Sequence, residues 1–179
     1  MNLYFVRHGQ TDWNASDRLQ GQSDIPLNQT GIAQAESLRD QIRGRGLRFD
    51  AIYASPLQRV RKTAEIIADG QPIVIDRLLS ERNAGQFEGG PPTALFDNEI
   101  DFLDSELNSG AFGVEPIRAF HARAANFLQN LRHLHPEDAT ILIVSSNGLM
   151  KRFAMILQDL PAGNIPNFQN AEIYNFNIR

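Results

Sequence analysis

Two arginines, a histidine and an asparagine stand where they can act together. Arg7-His8-Gly9 closes the apolar run Leu3-Tyr4-Phe5-Val6, and Ser55-Pro56-Leu57-Gln58-Arg59 follows the run Ala51-Ile52-Tyr53-Ala54. If both runs are parallel strands of one sheet, their ends face the same side and two guanidiniums converge on one imidazole. A guanidinium is a planar, permanently charged donor fork matched to phosphate oxygens. Nearby positive charge keeps an imidazole neutral, with a lone pair able to attack phosphorus. Gly9 gives a phosphate room to approach the backbone, and Asn14 adds a neutral donor. An isolated histidine is more often structural; the position of His8 at a strand end is what points to phosphoryl chemistry.

The elements that must position these groups follow from pattern. Leu3–Val6 is a buried first strand. Asn28 caps a helix with Ile32, Ala35, Leu38 and Ile42 on one face, stopping at Gly44 or Gly46. Ala51–Ala54 is a second strand, after which Ser55 as N-cap and Pro56 in the first turn open a helix carrying Leu57, Val60, Ala64 and Ile67. Ile73–Ile75 is a third strand, and Gln86 to Gly113 is loop-like. Pro116 starts the longest helix, with Ile117, Phe120, Ala124, Phe127, Leu131 and Leu134 on its apolar face. Thr140–Ser145 lacks alternation, as a central strand buried on both faces should. Leu149, Phe153, Ile156, Leu157 and Leu160 mark the next helix, and Glu172–Ile178 alternates like an edge or antiparallel strand. Strands alternating with helices predict an α/β fold.

The chain has 179 residues, 42% of them apolar, with 17 basic and 21 acidic side chains and a net charge of −4. That suits one domain over 1–179 with a sizeable core. The slight acidity gives no footprint for nucleic acid or an anionic membrane, so an anionic ligand needs a local basic site. There is no cysteine, which removes disulfides, thiolate nucleophiles and iron–sulfur clusters. The N-terminus lacks the basic lead-in of a signal peptide, and no run approaches the roughly 20 apolar residues of a membrane span. The expectation is a cytoplasmic protein. His121, His133 and His135 read as structural, the last two at a helix end where the dipole favours them. Asp97, Glu99, Asp101, Asp104 and Glu106 have no calcium-loop spacing and read as a solvated loop. Neither metal nor cofactor is expected, because arginines supply the positive charge.

The motifs surrounding His8 carry a resemblance. Leu3-Tyr-Phe-Val-Arg-His-Gly-Gln-Thr-Asp-Trp-Asn14, then Leu19-Gln-Gly-Gln-Ser-Asp-Ile-Pro-Leu27 with Gly31, Gln34 and Ala35, resemble the histidine phosphatase superfamily, also called the phosphoglycerate mutase-like family. Ser55-Pro-Leu-Gln-Arg59 with Thr63-Ala64, and Leu79-Ser-Glu81 with Gly85 and Phe87-Glu88-Gly89, extend the match, as does Gly113-Val-Glu115 with Arg123 more weakly. The resemblance implies a three-layer α/β/α sandwich around a mostly parallel mixed sheet. It implies His8 as the nucleophile that becomes phosphohistidine, Glu81 as general acid and then base, and Arg7, Asn14 and Arg59 as phosphate ligands. Gln10-Thr11 and Gln20-Gly21 look like the alpha-ribazole phosphate and broad-specificity phosphatases, which sets Gln20 and Gly21 at the substrate. Residues 89–113 are expected to form a variable lid-like loop, with Phe96, Phe102, Leu103 and Phe112 either closing over a leaving group or serving as core.

One position departs from the family. A second histidine, in a Ser-His-Gly-Gly setting, usually donates to the phosphoryl oxygens. Here Val144-Ser145-Ser146-Asn147-Gly148 puts Ser146 in its place, with Asn147 beside it. Both can donate hydrogen bonds, and neither supplies a cation. Pro116 likewise stands where the family often has serine, so Glu115 reads either as part of the motif or as a simple helix start. The expected function is hydrolysis of a small phosphorylated metabolite. A phosphoglycerate mutase-type phosphotransferase is one alternative; Glu115 follows Glu81 by only 34 residues, too few for the insertion that retains a bisphosphate in such mutases. A phosphate-binding or regulatory homologue with weakened catalysis is the other.

Overall fold

The structure is a computed structural model, and it describes residues 1–93, 110–160, 165 and 167–177. Five strands, β1 Asn2–Arg7, β2 Ala51–Ala54, β3 Val74–Ile75, β4 Thr140–Ser145 and β5 Ile173–Asn177, form one sheet in the order β3-β2-β4-β1-β5. The unalternating β4 is the middle strand, with every residue from Ile141 to Ser145 buried. β1 and β2 flank it in parallel, so Arg7 lies opposite Ser145 and Ala54 opposite Val144. β3 extends the parallel set on β2, and β5 closes the other edge antiparallel to β1. The carboxyl ends of β1, β2 and β4 therefore open on one side.

The helices are α1 Asp12–Ala15, α2 Gln29–Gly44, α3 Gln58–Ala68, α4 Ile117–Leu134 and α5 Asn147–Gln158. They cover both faces of the sheet. On one face Leu3, Phe5, Ile141 and Ile143 pack with Phe120, Phe127, Leu131 and Phe153 of α4 and α5. On the other, Val6, Ile52, Ala54, Leu142 and Val144 pack with Leu38, Ile42, Val60, Ala64 and Ile67 of α2 and α3. Burying each of the larger of these side chains is worth about 1.5–3 kcal/mol. The result is the three-layer α/β/α sandwich with a mostly parallel mixed sheet.

Several local expectations are corrected. α3 begins at Gln58 with Leu57 as its N-cap and no side-chain cap; Ser55 and Pro56 lie before it, and the Ser55 hydroxyl is buried. Ile73 stays outside β3, whose two residues are both exposed. Leu134 is 68% exposed and lies outside the apolar face on which Leu131 is buried. α1, one turn long, has too few residues to show periodicity. It rests on a capping box in which the Thr11 hydroxyl accepts from Asn14 N–H and the Asn14 side chain accepts from Thr11 N–H.

Gly9 serves packing rather than ligand approach. A Cβ on Gly9 would run into the Gly31 carbonyl, and one on Gly31 would run into the Gln10 backbone. The turn after β1 thus lies directly on the first turn of α2, where Asn28 Oδ1 accepts from Gly31 N–H at 2.9 Å. Gly44, in the last turn of the same helix, has open space around it. We expect Gly31→Ala to destabilise by about 1–3 kcal/mol, as overpacking does. Gly44→Ala should stabilise by about 0.5–1 kcal/mol through backbone entropy. Urea unfolding of both variants checks the opposite signs.

Candidate active site

β1 continues one hydrogen bond beyond its last residue, His8 N–H donating to the Ser145 carbonyl at 3.0 Å, so His8 is held by the central strand. Its ring is 3% exposed, and Nδ1 lies 2.7 Å from the Gly9 carbonyl. A carbonyl only accepts, so Nδ1 carries the proton and Nε2 keeps its lone pair. The pKa of His8 is pushed well below the ordinary histidine value, first by burial and then by the charges of Arg59 and Arg7, against the opposing Gly9 hydrogen bond. Burial is thus the larger cause, ahead of the positive charge that the sequence suggested. Gly9 N–H donates to Thr63 Oγ1, which donates to the Arg59 carbonyl, tying the turn to α3.

Arg59 has no exposure at all. Its Nη1 donates to the Ser23 carbonyl and its Nη2 to the Gly21 carbonyl, each at 2.7 Å. Arg7 Nη1 donates to the Phe168 carbonyl at 2.7 Å. In both arginines Nε is buried with no hydrogen-bond partner among the described residues. The chain from Gly21 to Ser23 folds around Glu88, whose carboxylate accepts from Gln22, Ser23 and Ala84 N–H. Gly21 adopts φ +49°, and a Cβ there would strike that carboxylate. Gly21 therefore supports Arg59, and Gln20 lines the cavity with a buried, unpartnered Oε1.

Glu81 faces this group from the loop after β3. Its Oε2 accepts from Gly148 N–H at 2.8 Å and its Oε1 from Arg82 N–H at 2.7 Å. A Cβ on Gly148 would occupy the carboxylate's place. Arg82 is buried, so Glu81 is not an acid on an open surface; Arg82 Nε donates to the Glu115 carbonyl. Glu115 also does more than begin α4. Its carboxylate takes two hydrogen bonds from Arg123, at 3.0 and 2.8 Å, and one from Asn83 N–H. Arg123 in turn donates to the carbonyls of Leu78 and Ser80 at 2.7 Å, fixing the backbone that leads into Glu81.

Ser146 is the N-cap residue of α5 by backbone geometry, but its hydroxyl makes no capping bond and is buried without a partner among the described residues. Asn147 Oδ1 accepts from Phe168 N–H, and its Nδ2 faces Asn167 at 3.4 Å. Asn14 uses its oxygen to accept from Thr11 N–H, and the residue lines the cavity. The segment Asn167–Asn170 is a part of the site that the sequence reading missed. Besides holding Arg7 and Asn147 through Phe168, it sends Asn170 Nδ2 to the His8 carbonyl at 2.8 Å. The run of amide side chains before β5 was its only signal.

His8, Arg7, Arg59, Glu81, Asn14, Gln20, Gly21, Ser146 and Asn147 all line one cavity of about 530 Å³. Of the aromatic residues expected over it, Phe112 lies on Phe87 away from the cavity, whereas Phe96, Phe102, Leu103 and the acids from Asp97 to Glu106 fall outside the described residues. His135 bonds Tyr53, far from the site, and no group of three or more metal-ligating side chains occurs among the described residues. No helix there is long and apolar enough to cross a membrane.

Compared with known families, residues 3–179 match the profile of the histidine phosphatase superfamily, branch 1. The chain is 35% identical over 159 residues to a probable phosphoglycerate mutase of Yersinia pestis, covering 88% of this chain and 71% of that protein. It superposes on mycobacterial glucosyl-3-phosphoglycerate phosphatase with a TM-score of 0.82 at 26% identity, covering 97% of this chain and 91% of that one. With phosphoserine phosphatase of Entamoeba histolytica, solved with 3-phosphoglyceric acid, the TM-score is 0.79 at 28% identity, over 97% and 89% of the two chains.

The buried, neutral His8 has a consequence for stability. Because its folded pKa lies below the ordinary value of 6.5, the unfolded chain takes up a proton that the folded chain refuses once pH drops below that value. Stability is full above about pH 6.5 and falls as pH is lowered toward the folded pKa, by up to about 1.4 kcal/mol per unit. Denaturant titrations across that range should show the slope, and His8→Asn should reduce it to the share left by His121, whose pKa is also lowered by burial.

Proposed function

Because the chain belongs to the histidine phosphatase superfamily, we propose that it hydrolyses a phosphomonoester of a small metabolite through a phosphohistidine intermediate. The observation that carries this reading is the single tautomer of His8, whose Nδ1–H is committed to the Gly9 carbonyl while Nε2 keeps its lone pair in a cavity shared with two buried guanidiniums and a carboxylate.

In the first step the Nε2 lone pair of His8 attacks phosphorus and the P–O ester bond breaks. Its electron pair leaves on the alkoxide oxygen, which takes a proton from Glu81. In the second step a water attacks phosphorus, its proton passes to Glu81, and the P–N bond breaks to return neutral His8 and inorganic phosphate. Arg7 and Arg59 hold the phosphoryl oxygens through donors the protein leaves unused, with the Nε–H groups of both arginines among them. Asn14 offers its NH2 end. Ser146 offers a hydroxyl and Asn147 bounds the pocket, their roles taken from sequence position. Gly21 holds Arg59 through its carbonyl, and Gln20 offers its side chain to the substrate.

The identity to a probable phosphoglycerate mutase favours a second reading, phosphoryl transfer between positions of one substrate. Assaying 3-phosphoglycerate with a bisphosphate primer separates the two: hydrolysis releases inorganic phosphate, and transfer yields the isomer instead.

Two predictions test the roles. His8→Ala should abolish hydrolysis of p-nitrophenyl phosphate, and rapid quench of the parent protein should trap an acid-labile phosphoryl group that this variant lacks. Turnover surviving the substitution sinks the nucleophile assignment. Gly148→Ala should push the Glu81 carboxylate out of place and lower kcat by about 10²-fold on an alkyl phosphate. The loss should be smaller on p-nitrophenyl phosphate, whose nitrophenolate departs without a proton.

A further inference from the structure

Ser146 leaves the wall of the cavity at the start of α5 without a charge, and we propose that Lys151, one turn further along that helix, supplies the missing cation to the transferring phosphoryl group; this rests on the hydrolase reading above. The Ser146 side chain is 2% exposed and lines the cavity with His8, Arg7 and Arg59, and its hydroxyl has no partner among the described residues. A buried donor left unmade is costly unless a bound group takes it. Asn147 cannot fill the charge, being neutral and held by Phe168.

The residues of α5 that line the cavity are Asn147, Gly148, Lys151 and Arg152, a stripe at four-residue spacing. Side chains on a helix tilt toward its N-terminus, so Lys151 extends back over the turn that contains Asn147. It forms no hydrogen bond or ion pair among the described residues. The other cations along the wall have employment. Arg18 donates to the Gly89 carbonyl and covers Trp13, Arg82 donates to the Glu115 carbonyl, and Arg152 directs Nη1 at Met155 Sδ. An ammonium on a four-carbon stem has three rotatable donors and a compact charge. Lys151 reaches over the small Ser146 to a phosphoryl oxygen and stabilises the charge that builds there; no bond forms to it and no proton leaves it.

Lys151→Met, Lys151→Arg and the double variant Ser146→His with Lys151→Met test this, using p-nitrophenyl phosphate kinetics and calorimetric titration with inorganic phosphate. Lys151→Met should lower kcat on p-nitrophenyl phosphate by about 10–10²-fold and weaken phosphate binding about tenfold, as loss of a transition-state donor does. Lys151→Arg should keep most of the activity, and Ser146→His should restore it to Lys151→Met. The two single variants should unfold at the parent's temperature, since the Lys151 side chain lies outside the core. A kcat for Lys151→Met within about twofold of the parent overturns the proposal. So does a loss confined to KM for 3-phosphoglycerate with p-nitrophenyl phosphate unmoved, which assigns Lys151 to a second anion of the substrate. If the parent neither turns over nor becomes phosphorylated, the hydrolase reading fails separately, and equal phosphate affinity in parent and Lys151→Met then overturns the role of Lys151 as well.

Discussion

The structure around the cavity is organised by a guanidinium with no exposure to solvent. Removing an ionised group from water costs several kcal/mol unless partners replace its hydration. Arg59 finds carbonyl oxygens rather than a carboxylate: Gly21 and Ser23 accept from its two terminal nitrogens. A carboxylate in contact would cancel the charge, whereas carbonyl dipoles solvate it and leave it to attract an anion. Each carbonyl must be fixed from behind. Glu88 does this by gathering the N–H groups of Gln22 and Ser23, and Gly21 accommodates that carboxylate by carrying no Cβ. Arg7 repeats the arrangement with the Phe168 carbonyl. The acids needed to hold the loops therefore stand one layer away from the cations that face the cavity.

The same separation holds for Glu81. Two backbone N–H groups, from Arg82 and Gly148, position its carboxylate, and Arg123 meets only the backbone of that loop while its fork is spent on Glu115. An arginine seated on the Glu81 carboxylate would hold it as a permanent anion. Amide donors orient it without placing a counter-charge on it. Gly148 allows this because the first turn of α5 can approach the carboxylate only without a side chain.

The sheet, its central strand and the position of His8 at the end of β1 were legible in the sequence, because burial imposes periodicity and strand ends impose location. β4 lacks alternation since both its faces are covered, and α2 shows its cap in Asn28 and its buried stripe in Ala35, Leu38 and Ile42. Side-chain-to-backbone bonds between segments far apart in the chain leave no period. Asn170 reaches the His8 carbonyl across 162 positions, and Glu88 reaches Gln22 across 66. Neither partner announces the other. Ser55-Pro56 is a good opening signal, yet α3 begins at Gln58 and carries Arg59 to the cavity in its first turn.

A chain of net charge −4 thus presents a strongly cationic cavity. The wall carries Arg7, Arg18, Arg59, Arg82, Lys151 and Arg152 against Asp17 and Glu81. Charges of one sign on the low-dielectric walls of a cleft focus the field, raising the local concentration of an anion far above what the overall charge allows. Net charge reports solubility and long-range repulsion, and here it has the wrong sign for the ligand. Attraction becomes effective only within roughly a Debye length of the mouth, about 8 Å at physiological salt. Under the proposed hydrolysis, anion capture is therefore a property of the pocket rather than of the molecule, and it requires the carbonyl-solvated arginines to remain unneutralised until the substrate arrives.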